Sequence, residues 1–202
     1  MGRVLLGLTI RDFFLSARCY PERQRLGPAN SRPTYYPEFS EKDLMNERAF
    51  MVPAERYDLS ALLSEWAWLV PERDTPLFLT AMADWVFGSP DGAIWRLSAL
   101  EGDYVQIATN AEQYNAMKRS AEWLSEEFCA DWQPIAAGSN LLPDEAECLG
   151  WRVHPYLGGE MKVGNLQVFS MLVYQSLMGQ LHRQLRVRPA TAHAKKPSWK
   201  FW

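Results

Sequence analysis

The amino-acid sequence predicts an α+β fold, a single domain in which a mainly antiparallel sheet is packed by several helices. Four short segments rich in Trp, Phe, Val and Ile follow one another between residues 77 and 108, and turn residues separate them. This succession is typical of an antiparallel meander. Apolar residues at helical spacing precede and follow it. With 202 residues, of which 48% are hydrophobic, the chain has material for one core but not for two large ones.

Three regions are distinguished along the chain. Residues 1–50 contain four prolines between positions 21 and 37, which interrupt regular structure, so we expect a poorly ordered extension. Residues 57–186 carry the periodic patterns and should form the folded domain. Residues 187–202 are basic and have no periodic apolar face, which predicts a flexible tail.

The first predicted element of the domain is a helix from Asp58 to about Val70. Asp58 is a favourable N-cap, because its carboxylate can accept hydrogen bonds from the first free backbone N–H groups. Pro71 ends the helix, since proline cannot continue it. The inner face is expected to consist of Leu59, Leu62, Leu63, Trp66 and Leu69 or Val70.

Four strands should follow, joined by turns at residues 89–92 and 101–103, where Pro, Gly and Asp favour chain reversal. The predicted strands are 77–81, 84–88, 93–98 and 104–108. After them, Asn110 can cap a helix that ends near Arg119, and Ser120 can cap the next helix. This second helix is expected to bury Leu124, Phe128, Trp132 and Ile135.

The last third of the chain is predicted to contain strands at 148–153 and 166–169 and a helix at 171–185. Gly158 and Gly159 can adopt positive φ at no steric cost, so they mark a sharp turn after the first of these strands. The Asn165 side chain can bond nearby backbone groups and fix a chain reversal. Gly179 costs the helix about 1 kcal/mol relative to Ala, so we expect close packing against another backbone there. The apolar stripe of this helix consists of Met171, Tyr174, Met178, Leu181 and Leu185.

Residues of this last third carry a resemblance to a known family. The matching residues are Cys148, Gly150, Pro155, Leu157, Gly158, Gly159, Asn165, Gly179, Gln180, Leu181, His182 and Gln184. Further matches in the strand-rich half are Asp84, Asp91, Gly92, Leu97, Gly102 and Ala108. Over about residues 57–186 the chain resembles the C-terminal domain of type VI secretion immunity proteins of the Tdi type, a family often found with a GAD-like domain. The resemblance implies a protein that neutralises a secreted toxin, commonly a nuclease, inside the bacterial cell that makes it.

Charge is segregated along the chain. Residues 51–178 contain seven Lys or Arg and 18 Asp or Glu, a net charge of −11. Residues 179–202 contain six Lys or Arg and no acidic residue. Because phosphate affinity comes from Lys and Arg, this distribution disfavours nucleic-acid binding by the domain and favours a basic protein partner.

A segment between residues 120 and 151 is acidic and lacks Lys and Arg. Its acidic residues are Glu122, Glu126, Glu127, Asp131, Asp144, Glu145 and Glu147. Glu122 with Glu126, and Glu127 with Asp131, are four residues apart, so each pair would repel on a helix. Two interpretations stand: a surface that faces a partner, or a face that is merely solvated.

Two groups on the last third have a structural and a functional interpretation. His154 precedes Pro155 at a strand end and is expected to bond the backbone, because no nucleophile or metal is signalled for a catalytic base. Gln180 and Gln184 share a helix face and either anchor loop backbone amides or contribute to an interface.

Cysteines and strand-end aspartates are expected to be structural. Cys129 and Cys148 have no neighbouring base or cation in sequence, which favours core positions over nucleophiles. Asp84, Asp91 and Asp103 lie at strand ends and turns, where aspartate serves turn chemistry more often than it binds a metal.

The interpretation that follows is a non-catalytic, cytoplasmic immunity protein with no cofactor, no metal site and no membrane segment. Its partner would be a cognate toxin, most often a nuclease, whose active site it occludes in a tight complex held by a few buried aromatic residues and steered by acidic ones. Two alternatives remain. One is an adaptor for a basic cellular partner, and the other is a small hydrolase that uses His154 with Asp103 or Cys148.

Overall fold

Seven strands and five α-helices form the part of the chain that this computed structural model describes, residues 50–187. The strands are β1 (Met51–Pro53), β2 (Thr75–Thr80), β3 (Trp85–Gly88), β4 (Ile94–Leu97), β5 (Tyr104–Ala108), β6 (Glu147–Trp151) and β7 (Leu166–Ser170). The α-helices are α1 (Leu59–Leu63), α2 (Ala111–Met117), α3 (Ala121–Phe128), α4 (Trp132–Gly138) and α5 (Met171–Val187). The expected N-terminal extension, up to residue 49, and the expected tail from residue 188 lie outside the described residues.

The main sheet is an antiparallel meander in the order β1-β2-β3-β4-β5. The predicted α+β class and the four predicted strands are therefore confirmed. Strand β1 lies before the expected start of the domain at residue 57 and pairs with β2, Met51 facing Thr80. A strand of three residues that ends in proline has too little periodicity to be recognised in sequence. Strands β6 and β7 form a second antiparallel pair.

Helices cover both faces of the main sheet, as the alternation along β3 shows. Val86 belongs to a cluster with Leu124 and Phe128 of α3, whereas Trp85 and Phe87 belong to a cluster on the opposite face. That second cluster includes Trp66 and three residues of α5, Met171, Tyr174 and Met178. Because side chains alternate between the faces of a strand, consecutive buried residues on β3 require a layer on each side.

The predicted helix from Asp58 is shorter than expected. Asp58 caps it as predicted, its carboxylate accepting a hydrogen bond from the Ala61 N–H at 3.1 Å. However, the α-helix ends at Leu63 and continues as a 3₁₀ turn, Ser64–Trp66. The Ser64 hydroxyl donates a hydrogen bond to the Ala61 carbonyl oxygen. The side chain therefore competes with backbone N–H groups for an acceptor in the last turn of the helix. Leu62 and Trp66 are nevertheless buried, as predicted.

The expectation of one continuous helix with Leu124, Phe128, Trp132 and Ile135 on its inner face is wrong. These residues are divided between two helices, α3 and α4. Cys129 has a left-handed backbone conformation, with φ of +54°. This residue ends α3, and the chain changes direction there before α4 begins. The break lets Trp132 pack edge-on against Trp151 of β6, with ring centroids 4.9 Å apart. As a consequence, Glu127 and Asp131 do not form a like-charge pair on one helix.

Of the predicted stripe on helix α5, Met171, Tyr174 and Met178 are buried, and Leu181 and Leu185 are partly buried. The helix also buries Gln175, which sequence analysis did not identify. The Gln175 side chain accepts a hydrogen bond from Trp66 Nε1 at 2.8 Å and donates one to the Ala83 carbonyl at 2.6 Å. One amide thus ties α5 both to the segment after α1 and to the turn between β2 and β3.

Gly179 lies where α5 crosses the 3₁₀ turn at close range. A Cβ atom at position 179 would be 2.7 Å from the Glu65 backbone oxygen and 2.7 Å from the Glu65 Cβ. Real carbon atoms do not approach this closely, so only glycine fits without displacing backbone. The expected close packing against another backbone is therefore present.

Two glycine-to-alanine substitutions in helices should have opposite effects on stability. Gly179→Ala should lower the free energy of unfolding by about 1–3 kcal/mol, because the new methyl group overpacks the contact with Glu65. Gly138→Ala should leave it unchanged or raise it by up to about 1 kcal/mol, because nothing lies within 4 Å of a Cβ there. Urea unfolding of both variants measures this, and a stabilised Gly179→Ala variant would contradict the packing account.

Candidate functional site

Three aromatic side chains meet beneath the turn between β4 and β5. His154 and Tyr156 belong to the loop after β6, and His182 belongs to α5. Their ring centroids are 5.2, 5.3 and 5.5 Å apart in the three pairs, in near-perpendicular orientations. Trp66 closes the group on the far side, 5.9 Å from His182. His182 is thus a packing residue, 3% exposed.

Hydrogen bonds fix the tautomers of both histidines. His182 Nε2 lies 3.0 Å from the Ala99 carbonyl oxygen, so this nitrogen carries the proton and donates it. His154 Nδ1 accepts a hydrogen bond from the Tyr156 N–H at 3.2 Å, which caps the 3₁₀ turn Pro155–Leu157. The expectation that His154 bonds the backbone is confirmed.

Gly102 makes room for His182. A Cβ atom at position 102 would be 2.1 Å from the His182 ring, and the Gly102 φ of +65° is itself unfavourable for other residues. The Tyr156 hydroxyl donates to the Glu101 carbonyl at 3.2 Å, one residue earlier in the same turn. Residues from three distant parts of the sequence are therefore in direct contact.

Burial keeps both histidines neutral. It lowers the pKa of His154 to about 4, and the neighbouring His182 adds to the effect. Burial also lowers the pKa of His182, against the opposing influence of the Ala99 carbonyl and the Asp103 carboxylate. The Arg186 guanidinium lowers it further. Protonation of either ring would place a charge in a buried aromatic environment.

Asn165 holds the loop after β6, as predicted, whereas Gly159 contributes through close packing and not through the positive φ that was considered for it. The Asn165 side chain accepts from the Val153 N–H at 3.0 Å and donates to the carbonyls of Val153 and Glu160 at 2.8 and 2.9 Å. A Cβ atom on Gly159 would be 1.8 Å from the Val153 carbonyl oxygen. Gly158, with φ of +89°, ends the 3₁₀ turn. Both glycines and Asn165 thus serve the chain reversal.

A buried arginine occupies the centre of a carboxylate network. Arg96 on β4 bonds Glu101 at 2.7 Å, Asp103 at 3.3 Å and Glu127 at 3.2 Å, and it also donates to the Glu127 carbonyl oxygen. Burial raises the pKa of nearby Asp84 to about 7, against the attraction of Arg96. One Asp84 oxygen accepts from the Ala99 N–H at 2.7 Å. Nothing in the sequence indicated the burial of Arg96, because a single arginine in a strand carries no signal of burial.

The seven acidic residues of the 120–151 segment do not form one free surface. Glu127 neutralises Arg96, and Glu145 pairs with Arg56 at 2.8 Å. The Asp144 carboxylate accepts a hydrogen bond from the Ala146 N–H, and the Glu147 carboxylate accepts one from the Asp144 N–H. Asp131 is partly buried, and burial raises its pKa. Glu122 and Glu126, on α3, are exposed.

The remaining predicted residues lie as follows. Gln180 is exposed and donates to the Glu65 carboxylate at 3.1 Å, so it does not anchor a loop backbone amide, and Gln184 is exposed. Cys129 and Cys148 are buried, as expected, and burial raises the pKa of the Cys148 thiol. Pro155 is partly buried, and Leu157 is exposed.

The outer face of α5 carries three exposed hydrophobic residues that the sequence did not indicate, Leu172, Val173 and Leu177.

Within residues 50–187, no group of three or more His, Cys, Asp or Glu is placed to hold a metal ion. None of the helices in this range combines the length and the apolar character that crossing a membrane requires.

No protein-family model matches the chain, and no curated protein matches it. Among solved structures, the crystal structure of Atu4351 from Agrobacterium tumefaciens is similar to it, with 14% sequence identity and a TM-score of 0.49. The similarity covers 66% of this chain and 68% of that one. A similarity of this degree does not identify a function.

The histidine pair should make the fold sensitive to acid. An unfolded histidine titrates near pH 6.5 and folded His154 near pH 4, so the unfolded state takes up the proton first. Its contribution to stability is complete above pH 6.5 and is lost as the pH falls toward 4, by up to about 3 kcal/mol. Asp84 acts in the opposite sense, because its raised pKa favours the folded state as the pH falls.

The variant His154→Asn isolates this contribution, since asparagine can still accept from the Tyr156 N–H but does not titrate. Urea unfolding between pH 7 and 4 should show the stability of the wild type falling relative to that of the variant. A difference that does not change with pH would contradict the assignment.

Proposed function

We propose that the protein is an immunity protein of the Tdi type, which binds a cognate type VI secreted toxin in the cytoplasm and neutralises it by covering its active site. The observation that carries the proposal is the convergence of the residues on which the resemblance rests. Gly102 and His182, far apart in sequence, are in contact, and Gly159 and Asn165 approach each other within one loop. A resemblance that consisted of unrelated matches would not be expected to produce such contacts.

The roles of these residues support a binding function. The matched glycines at positions 102, 150, 159 and 179 each accept a neighbour at a distance that no side chain would permit. They fix the positions of α5 and the loop after β6. The motif therefore specifies a scaffold, and the exposed side chains on that scaffold are available to determine the partner.

The charge of the domain supports a basic partner. Residues 51–178 carry a net charge of −11, and α3 presents Glu122 and Glu126 to solvent. A nuclease must attract phosphates and is therefore positively charged around its cleft. An acidic domain accelerates association with such a protein and disfavours nucleic acid as a ligand. A nuclease toxin is the partner that we propose.

The alternatives named from the sequence receive less support. A hydrolase that uses His154 needs an accessible ring, whereas His154 is buried and its Nδ1 already accepts a backbone hydrogen bond. Cys148 is fully buried as well. An adaptor for a basic cellular partner would use the same acidic surface. An experiment is therefore needed to distinguish the two binding functions.

Co-expression with the proposed cognate toxin, to be sought among the products of neighbouring genes, tests the proposal. We expect the full chain to restore growth of cells that express the toxin and to copurify with it as a one-to-one complex. A catalytically inactive toxin variant should bind equally well, because the contact is with the folded surface. If the chain neither binds the toxin nor restores growth, the immunity proposal is wrong and the adaptor alternative gains support.

Reversing one exposed charge on α3 should slow association with the toxin. Glu122→Lys should lower the association rate at low salt and reduce its dependence on ionic strength, because steering is screened beyond about 8 Å at physiological salt. The dissociation rate should change much less, since it depends on buried contacts. The matched control is Glu72→Lys, an exposed charge outside the segment. Stopped-flow measurements that show equal effects for both variants would exclude specific steering by α3.

A further inference from the structure

Strand β5 forms one edge of the main sheet, with β4 on one side and no strand from residues 50–187 on the other. The Ser98 N–H donates to the Asp103 carbonyl oxygen at the start of this pair of strands. Hydrogen-bonded and non-hydrogen-bonded pairs alternate along an antiparallel ladder, so the backbone N–H and C=O of Val105 point toward β4. Those of Tyr104 and Gln106 point away from it, and no group in the described part of the chain pairs with them.

The composition of β5 does nothing to protect this edge. Edge strands in monomeric proteins are commonly protected from pairing by charged residues, by proline or by short length. Strand β5 is five residues long and contains neither a charge nor a proline. The opposite edge, β1, has three residues and ends at Pro53. Val105 and Ile107, which are partly exposed, add apolar surface beside the open backbone groups of β5.

A row of aromatic side chains on the α5 side of the sheet ends at the same edge. Phe87 of β3 contacts Tyr104 of β5 edge-on, with ring centroids 5.4 Å apart. Trp95 of β4 stacks on Tyr104 at 5.2 Å. Both Trp95 and Tyr104 are partly exposed, so the row is open at its end. Aromatic residues on a further strand would continue the row, because cross-strand aromatic pairs stabilise a sheet.

The chain leaves α5 beside this edge. The Arg186 guanidinium donates to the Gly102 carbonyl at 3.4 Å, and β5 begins two residues after Gly102. Residues 188–202, which lie outside the described residues, therefore start next to the turn between β4 and β5. The ten residues 188–197 span up to about 33 Å when extended, whereas β5 is about 17 Å long. Residues 198–202 can consequently reach any position along β5.

The sequence of residues 198–202, Ser-Trp-Lys-Phe-Trp, suits an added strand. In an extended conformation Trp199 and Phe201 point to one face of the sheet and Lys200 to the other. The two aromatic rings on one face match the row that ends at Tyr104. Aromatic residues are also among those that favour strands.

Charge at the start of β5 favours a basic occupant. Arg96 is the common partner of Glu101, Asp103 and Glu127, so three carboxylates surround one guanidinium, an excess of two negative charges. Their side chains are 33%, 36% and 31% exposed, so this excess is accessible from the surface. Residues 188–202 contain four Lys or Arg and no Asp or Glu. The segment that starts beside the turn therefore has the complementary charge.

A segment of the same chain has an advantage over a separate molecule. A short connection keeps it at an effective concentration in the millimolar range, so modest contacts are sufficient for pairing. A second copy of the chain that paired through its own β5 would bring no Lys or Arg on that strand to meet Glu101 and Asp103. Connection, charge and side-chain alternation together select the C-terminal segment as the occupant.

From these observations we propose that residues 198–202 pair with the open edge of β5 as a sixth strand of the main sheet. Trp199 and Phe201 continue the row of Trp95 and Tyr104, and the basic residues of the segment approach the acidic turn. In the full chain this pairing takes the place of the flexible tail that composition alone predicts. The inference does not depend on the immunity function.

Amide hydrogen exchange of the full chain, followed residue by residue by NMR, tests the proposal. The Tyr104 and Gln106 amides should exchange at least about tenfold more slowly in the wild type than in the double variant Trp199→Ser/Phe201→Ser, because pairing protects them. The Val105 amide bonds β4 in both proteins and should exchange equally, which controls for an intact sheet.

A matched control uses the other face of the segment. Trp202→Ser removes an aromatic ring of the same kind, but from the side away from Tyr104, and should leave the exchange of both outward amides close to that of the wild type. Protection in the wild type should also be independent of protein concentration, because the pairing is intramolecular.

The contrary outcomes are distinct. Fast exchange of Tyr104 and Gln106 in the wild type would overturn the proposal, as would slow exchange that the double variant does not accelerate. Protection that increases with protein concentration would also overturn it and would assign the edge to a second copy of the chain.

Discussion

The position of α5 is the constraint on which most of the described structure depends. Gln175 ties the helix to Trp66 and to the Ala83 carbonyl, and Gly179 lets it approach the Glu65 backbone. Two further contacts need a glycine on the partner element. The Tyr174 ring occupies the space in which a Cβ of Gly150 would lie, and His182 does the same at Gly102. Through these contacts one helix joins both sheets and the segment after α1, so displacing it would disturb every layer on that side.

This arrangement links the buried residues to the surface. The inner face of α5 is occupied by packing and hydrogen bonds, so the outer face is fixed in position, and on that outer face Gln180 donates to the Glu65 carboxylate. The acidic side chains divide in the same way, since Glu127 and Glu145 neutralise arginines while Glu122 faces solvent. In the proposed function, the protein is a scaffold on which exposed side chains, among them Glu122 on α3, determine recognition of the partner.

Local patterns in the sequence were sufficient for the meander, the caps at Asp58, Asn110 and Ser120, the role of Asn165 and the packing of Gly179, because each depends on a few neighbouring residues. Other features depend on tertiary contacts and could not be predicted. The break at Cys129 separates α3 from α4 although the apolar spacing continues across it. Likewise, nothing in the sequence around Gln175 or Arg96 distinguishes a buried polar residue from an exposed one, and the acidic segment could not be divided into paired and exposed carboxylates.

The most direct test of the central claim, neutralisation by stoichiometric binding, is titration of the activity of the proposed cognate nuclease toxin with the purified full chain. A protein that blocks the active site by tight binding should abolish the activity at one molar equivalent, with a linear decrease up to that point. Removing the chain from the complex by denaturation and refolding the toxin should restore its activity. Toxin activity that is unaffected by excess protein would contradict the account, as would complete, irreversible inactivation at far less than one equivalent, which would indicate catalysis.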